Sequence, residues 1–191
     1  YPWTTNAHLM LACRQLGYLS DEQLILDPTF GRGLWWKKWR PDQLVTHDKF
    51  KLDGVDFRHL PHLDDEFDAV AYDPPYVAKG GRLTSGLPEL DDRYGMDIAP
   101  RTPAELQKMI NDGLKECARV TSNVLLVKCQ SYISSGQLWP GVYLTTKAGY
   151  DAGLTLVDQF EHLCKNPRPQ PPGRRQVHAR RNLSTLLVFS K

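Results

Sequence analysis

The residues able to do chemistry lie in two short strings, Asp27-Pro28-Thr29-Phe30-Gly31-Arg32-Gly33 and Asp73-Pro74-Pro75-Tyr76. In the second, two successive prolines fix φ and remove two N–H donors. The corner is therefore rich in acceptors, the Asp73 carboxylate and the Pro74 carbonyl, and Tyr76 supplies a ring that can stack. An amino group on a planar ring carries two N–H donors and matches such a corner directly. That kind of amine is a weak nucleophile, because its lone pair is delocalised into the ring. Acceptors that pull on its hydrogens favour a more tetrahedral nitrogen with the lone pair free for in-line attack. Positioning of this kind supplies up to ~7–11 kcal/mol, and oriented polar groups add ~3 kcal/mol.

The first string suits a nucleotide-like ligand. Ligands of open α/β sheets bind beyond the carboxyl ends of the strands, and Leu24-Ile25-Leu26 leads into Asp27 as a buried strand would. Gly31 and Gly33 let the backbone approach a ligand without a Cβ clash, and a carboxylate at Asp27 can pair with a cationic amine. Asp48 stands 21 residues further on, at the expected end of the next strand, where an acid accepts both ribose hydroxyls. Asp56, before Phe57, can receive an adenine amino group. No Gly-Lys-Ser/Thr follows the glycines, which disfavours ATP.

Elements must hold these strings in place. Thr4-Thr5-Asn6 offers caps for a helix over Ala7–Leu16. Strands are expected at Leu24–Asp27, Leu44–Thr46, Gly54–Phe57, Asp68–Asp73, Asn123–Cys129, Leu154–His162 and Leu183–Ser190, with a short helix at Leu34–Trp39 whose tryptophans serve packing. Thr102-Pro103 opens the best helix, with a buried stripe from Leu106 to Val120. This alternation predicts an α/β fold with a mostly parallel sheet and helices on both faces, closed by an antiparallel pair of strands. Residues 77–101 and 165–181 read as substrate-facing loops.

A chain of 191 residues favours a single domain. It opens on Tyr1, so residues upstream are expected. No apolar run reaches membrane-spanning length, so no membrane role is expected. The four cysteines form no CxxC and no ligand pattern with histidine, which predicts no metal and a reduced, cytoplasmic setting. Net charge is +2, unevenly spread. Seven of the 24 Lys and Arg residues lie in 165–191, which has no Asp or Glu, leaving 17 basic against 22 acidic side chains elsewhere. Arg168, Arg174, Arg175, Arg180 and Arg181 suit phosphate contacts, and Lys79 and Arg82 could hold a displaced backbone if a base is flipped out of a duplex.

On these motifs the chain resembles the S-adenosylmethionine-dependent amino methyltransferases of DNA, with the order helix, cofactor turn, Asp-Pro-Pro-Tyr turn. The resemblance implies a Rossmann-like, seven-stranded sheet with the last strand antiparallel. It implies S-adenosyl-L-methionine against Asp27, Pro28, Thr29, Gly31 and Gly33, with Asp48 on the ribose and Asp56 and Phe57 at the adenine. Asp73, Pro74, Pro75 and Tyr76 would hold the target base, and Asp at position 73 leans toward adenine N6. Thr5 and Asn6 would close the methionine end. Small residues usually follow the family's glycines, whereas here Arg32, Leu34, Trp35 and Trp36 do. No separate target-recognition domain is visible, so either sequence preference is weak, a partner supplies it, or the two loops do the reading. RNA base methylation and a catalytically silent binding module are the alternative readings.

Overall fold

The computed structural model describes residues 3–76, 78, 100–163, 177–179 and 182–191. Lys79, Arg82, Arg168, Arg174, Arg175, Arg180 and Arg181 lie outside them, as does most of both expected loops. The main sheet is built from β1 (Leu24–Asp27), β2 (Gln43–Thr46), β3 (Phe67–Tyr72), β4 (Thr121–Cys129), β7 (Thr155–Leu163) and β8 (Leu183–Ser190). Their order across the sheet is β2-β1-β3-β4-β8-β7. β1 to β4 pair in parallel, and β8 runs antiparallel to both β4 and β7. The last two strands thus form the expected antiparallel pair.

Period-two alternation divides the core between the faces. Leu26, Val70, Tyr72, Leu125, Val127 and Leu187 face α2 (Pro103–Val120), which brings Leu106, Ile110, Leu114 and Cys117. Ile25, Ala69, Ala71, Leu126 and Val188 face the other way, onto Leu9, Met10 and Cys13 of α1 (Asn6–Gln15) and onto Trp35, Trp36 and Trp39. Strands buried on both faces read as unbroken apolar runs, which is why they stand out in the sequence. α2 begins as its sequence requires: Thr102 and Glu105 form a capping box and Pro103 starts the first turn.

Two expectations are corrected. The main sheet has six strands among the described residues rather than seven, because Gly54–Phe57 is not a strand. There each aspartate bonds the backbone N–H two residues ahead: Asp48 to Phe50, Asp53 to Val55 and Asp56 to Arg58, at 2.9, 3.3 and 3.0 Å. These Asx turns compete with a ladder. The residues flanking the segment are joined by side chains instead, through Asp53–His47, His47–His62 and His62–Glu66 contacts of 2.5, 2.8 and 2.9 Å. The helix expected over Leu34–Trp39 is a single 3-10 turn, Leu34–Trp36. A hairpin of β5 (Tyr132–Ser134) and β6 (Gln137–Trp139) and a helix α3 (Gly141–Asp151) were not anticipated.

Gly113 lets α2 close on the sheet. A Cβ there would lie 2.3 Å from Tyr72 Oη and 2.6 Å from Phe57 Cδ2. Gly113→Val is expected to lower stability by about 1–3 kcal/mol through overpacking. The check is a fall in the denaturant midpoint at unchanged slope.

Candidate active site

The chain leaves β1 for β2 on one side and returns to β3 on the other, with Ile25 beside Ala69 and Leu26 beside Val70. Strand order reverses there, and a crevice opens at the carboxyl ends of the two strands. Both strings sit at that crevice. After β1 the chain turns through Gly31 (φ +54°) and Gly33 (φ +64°). Left-handed backbone suits glycine, and a Cβ on Gly33 would lie 2.7 Å from the Phe30 ring.

After β3, Asp73 is held from three sides. Its backbone N–H donates to Thr29 Oγ1 at 2.9 Å, the Trp35 indole N–H donates to Oδ2 at 2.9 Å, and the Tyr76 hydroxyl donates to Oδ1. Thr29 also donates its N–H to Asp27 Oδ1 at 3.0 Å. One threonine therefore joins the two turns. Pro28, Thr29, Gly31, Asp48, Phe57, Asp73, Pro74, Pro75 and Tyr76 line one cavity of about 290 Å³, together with Asn6, Leu34, Lys49 and Phe50.

Not every candidate carboxylate faces that cavity. Asp27 is buried and does not line it. Its Oδ2 accepts the Trp36 indole N–H at 2.7 Å. Burial pushes its carboxyl up to about 7; the charge of Asp73 adds to this, and the bonds from Trp36 and Thr29 oppose it. Asp48 does reach the cavity. It accepts the Gly31 N–H at 2.9 Å and, through its other oxygen, the N–H groups of Phe50 and Lys51. Asp56 lines an adjoining cavity of about 480 Å³ that shares Lys49, Phe50 and Phe57 with the first. Its carboxylate is already paired, with Arg58 at 2.6 Å and Lys49 at 2.7 Å. The Arg58 bonds, with help from Lys49, hold it well below the usual carboxylate range. An adenine amino group could reach Asp56 only alongside or in place of these cations.

The sequence reading missed the polar role of the tryptophans. Trp35, Trp36 and Trp39 pack as expected, but each also donates its indole N–H to an aspartate, respectively Asp73, Asp27 and Asp21. A buried indole needs an acceptor, and three tryptophans beside so many aspartates were the available signal. Also missed was Lys128, buried near the end of β4. Its ammonium donates to Asn6 Oδ1 and lies 3.0 Å from His162 Nδ1. Burial, then the Lys128 charge, lowers the His162 pKa. Because an ammonium only donates, Asn6 Oδ1 must be the atom that faces it.

No protein-family model matches the chain, and no curated protein matches it. Solved structures do. A provisionally assigned RNA methyltransferase from Pyrococcus horikoshii superposes with a TM-score of 0.59 at 12% identity, over 97% of this chain and 83% of that one. The cyclase SpnF superposes with a TM-score of 0.53 at 12% identity, over 97% and 81%. A provisionally assigned DNA modification methylase from Thermus thermophilus, solved with S-adenosyl-L-methionine, gives 0.46 at 14% identity, over 71% of this chain and 51% of that one. The chain thus spans about half the length of the Thermus protein. The fold is the Rossmann-like fold that methyltransferases such as the Pyrococcus protein share with the cyclase. That one neighbour is a cyclase means the reaction must be argued from the site.

Proposed function

We propose that this chain transfers a methyl group from S-adenosyl-L-methionine to the exocyclic amino nitrogen of a nucleobase in DNA, adenine N6. The observation that carries this reading is the single cavity lined by both the glycine turn and the acceptor corner, with Thr29 bonded to each. The residues present fit the cofactor. The turn Asp27 to Gly33 has its glycines in left-handed backbone, and Asp48 offers a carboxylate to a ribose. Phe57 and Phe50 offer apolar walls to an adenine. The cofactor would supply an electrophilic methyl on a sulfonium. Asp73 and the Pro74 carbonyl accept the hydrogens of the target amine and aim its lone pair. The amine attacks directly: the nitrogen–methyl bond forms as the sulfonium–methyl bond breaks, the neutral thioether leaves, and the surplus proton on nitrogen passes to Asp73 or to water, so no covalent enzyme intermediate is needed.

Adenine rests on the family likeness of Asp at position 73. In this reading the chain acts as one methyltransferase domain. The arginines of residues 165–181, together with Lys79 and Arg82, contact the DNA backbone, and a protein partner supplies sequence recognition. The test is incubation with methyl-labelled cofactor and separate DNA and RNA pools, followed by mass spectrometry of the nucleosides. N6-methyladenine in DNA is expected. Label in RNA alone would move the substrate, and cofactor binding without transfer to either pool would overturn the reading.

A further inference from the structure

We infer that Trp35 is a positioning residue for methyl transfer: its indole N–H fixes the Asp73 carboxylate in the orientation that receives the target amine. This rests on the function proposed above and adds a residue to it. The 3-10 turn Leu34–Trp36 follows directly on Gly33 of the glycine turn, and its indoles reach the ends of both strands that carry the site. Successive side chains of a 3-10 turn diverge by about 120°. Neighbouring indoles can therefore reach different strand ends, Trp36 the Asp27 at the end of β1 and Trp35 the Asp73 just past β3. Both rings are locked in the core beneath the sheet, 5% and 6% exposed.

An indole offers one donor and no acceptor. A packed ring cannot swing to follow its partner, so the carboxylate must come to it. The 2.9 Å bond to Oδ2 sets the plane of the Asp73 carboxylate, and the Tyr76 hydroxyl adds a second restraint at Oδ1. Each carboxylate oxygen accepts more than one hydrogen bond, so room for an amine N–H remains.

The decisive variant replaces Trp35 by 3-benzothienylalanine, which keeps the shape of tryptophan and removes only the N–H. The readout is the single-turnover rate of methyl transfer to DNA per bound cofactor, so that loss of folded sites or of cofactor affinity does not enter. The expected result is a drop of roughly 10- to 100-fold, the usual size for a hydrogen bond to a charged group, with cofactor affinity unchanged. Trp39→Phe removes a similar bond, to Asp21, away from the cavity, and is expected to keep the wild-type rate. A benzothienylalanine enzyme as fast as wild type would overturn the role of Trp35 while Asp73→Ala still tests the reaction itself. A Trp39→Phe enzyme equally slowed would also overturn it, by showing that loss of any such bond suffices. Wild-type protein that methylates no nucleic acid would overturn both readings together.

Discussion

Asp73→Ala is expected to lower methyl transfer by about 10³-fold, because it removes the oriented acceptor on which activation of the amine depends. Cofactor affinity should stay within a few-fold. The cavity wall built by Pro28, Thr29, Gly31, Asp48 and Phe57 does not depend on the Asp73 side chain, and the bond from the Asp73 backbone to Thr29 Oγ1 survives the substitution. The variant is not structurally silent. It strips the Trp35 indole and the Tyr76 hydroxyl of their acceptor and takes a negative charge away from Asp27. Asp73→Asn separates these effects, since its amide oxygen can keep one of the two bonds while the charge is lost. Rates from labelled cofactor, set beside affinities from calorimetry, decide the matter. Normal methylation by Asp73→Ala would remove the catalytic assignment. Equal loss of rate and affinity would make Asp73 a structural prop of the cavity.

The parts of this molecule readable in advance are those whose signals are local. Thr102, Pro103 and Glu105 announce the start of α2 with their own side chains, and the structure starts it there. Leu24 to Asp27 and Leu183 to Ser190 are buried on both faces over most of their length, carry apolar runs, and fall where expected. α3 had no such signal. Pro140 gives no side-chain cap, and Gly141 opens the helix because a Cβ there would lie 2.2 Å from the Gln130 carbonyl oxygen, a contact made only in the folded state. The strand expected at Gly54–Phe57 failed for a local reason, the run of Asx turns, that its aspartates did display.

The site divides in the same way. Its backbone corners follow from glycine and proline, so their positions could be anticipated. Its polar wiring joins residues far apart in sequence: Trp35 to Asp73, Thr29 to Asp73, Lys128 to Asn6. Such pairings depend on which strand lies beside which, and residue types alone do not reveal them. The same wiring explains why Asp27, placed by its sequence at a cofactor amine, is buried against Trp36.

That burial predicts an unusual pH dependence of stability. The ordinary value near 3.8 is raised to about 7 in the folded chain, chiefly by burial. Below pH ~4 the carboxyl is protonated in both states and costs nothing. Between ~4 and ~7 the folded state keeps a proton that the unfolded state releases, so stability falls as pH rises. At about 1.4 kcal/mol per unit, the loss reaches roughly 4 kcal/mol above pH 7. His162 works in the opposite direction: its pKa is lowered on folding, so its contribution improves as pH rises toward 6.5. Asp53, Asp56, Glu66 and Glu116 are all lowered, and their contribution is lost only as pH falls below about 4. Comparison with Asp27→Asn cancels these other groups. The asparagine oxygen can still accept from Trp36, while its amide faces the Thr29 N–H at a cost that does not vary with pH. Chemical denaturation from pH 5 to 8 should therefore show the wild type losing stability relative to Asp27→Asn by a few kcal/mol. Parallel curves for the two proteins would mean that Asp27 is ionised in the folded state throughout, and that the bonds from Trp36 and Thr29 outweigh its burial.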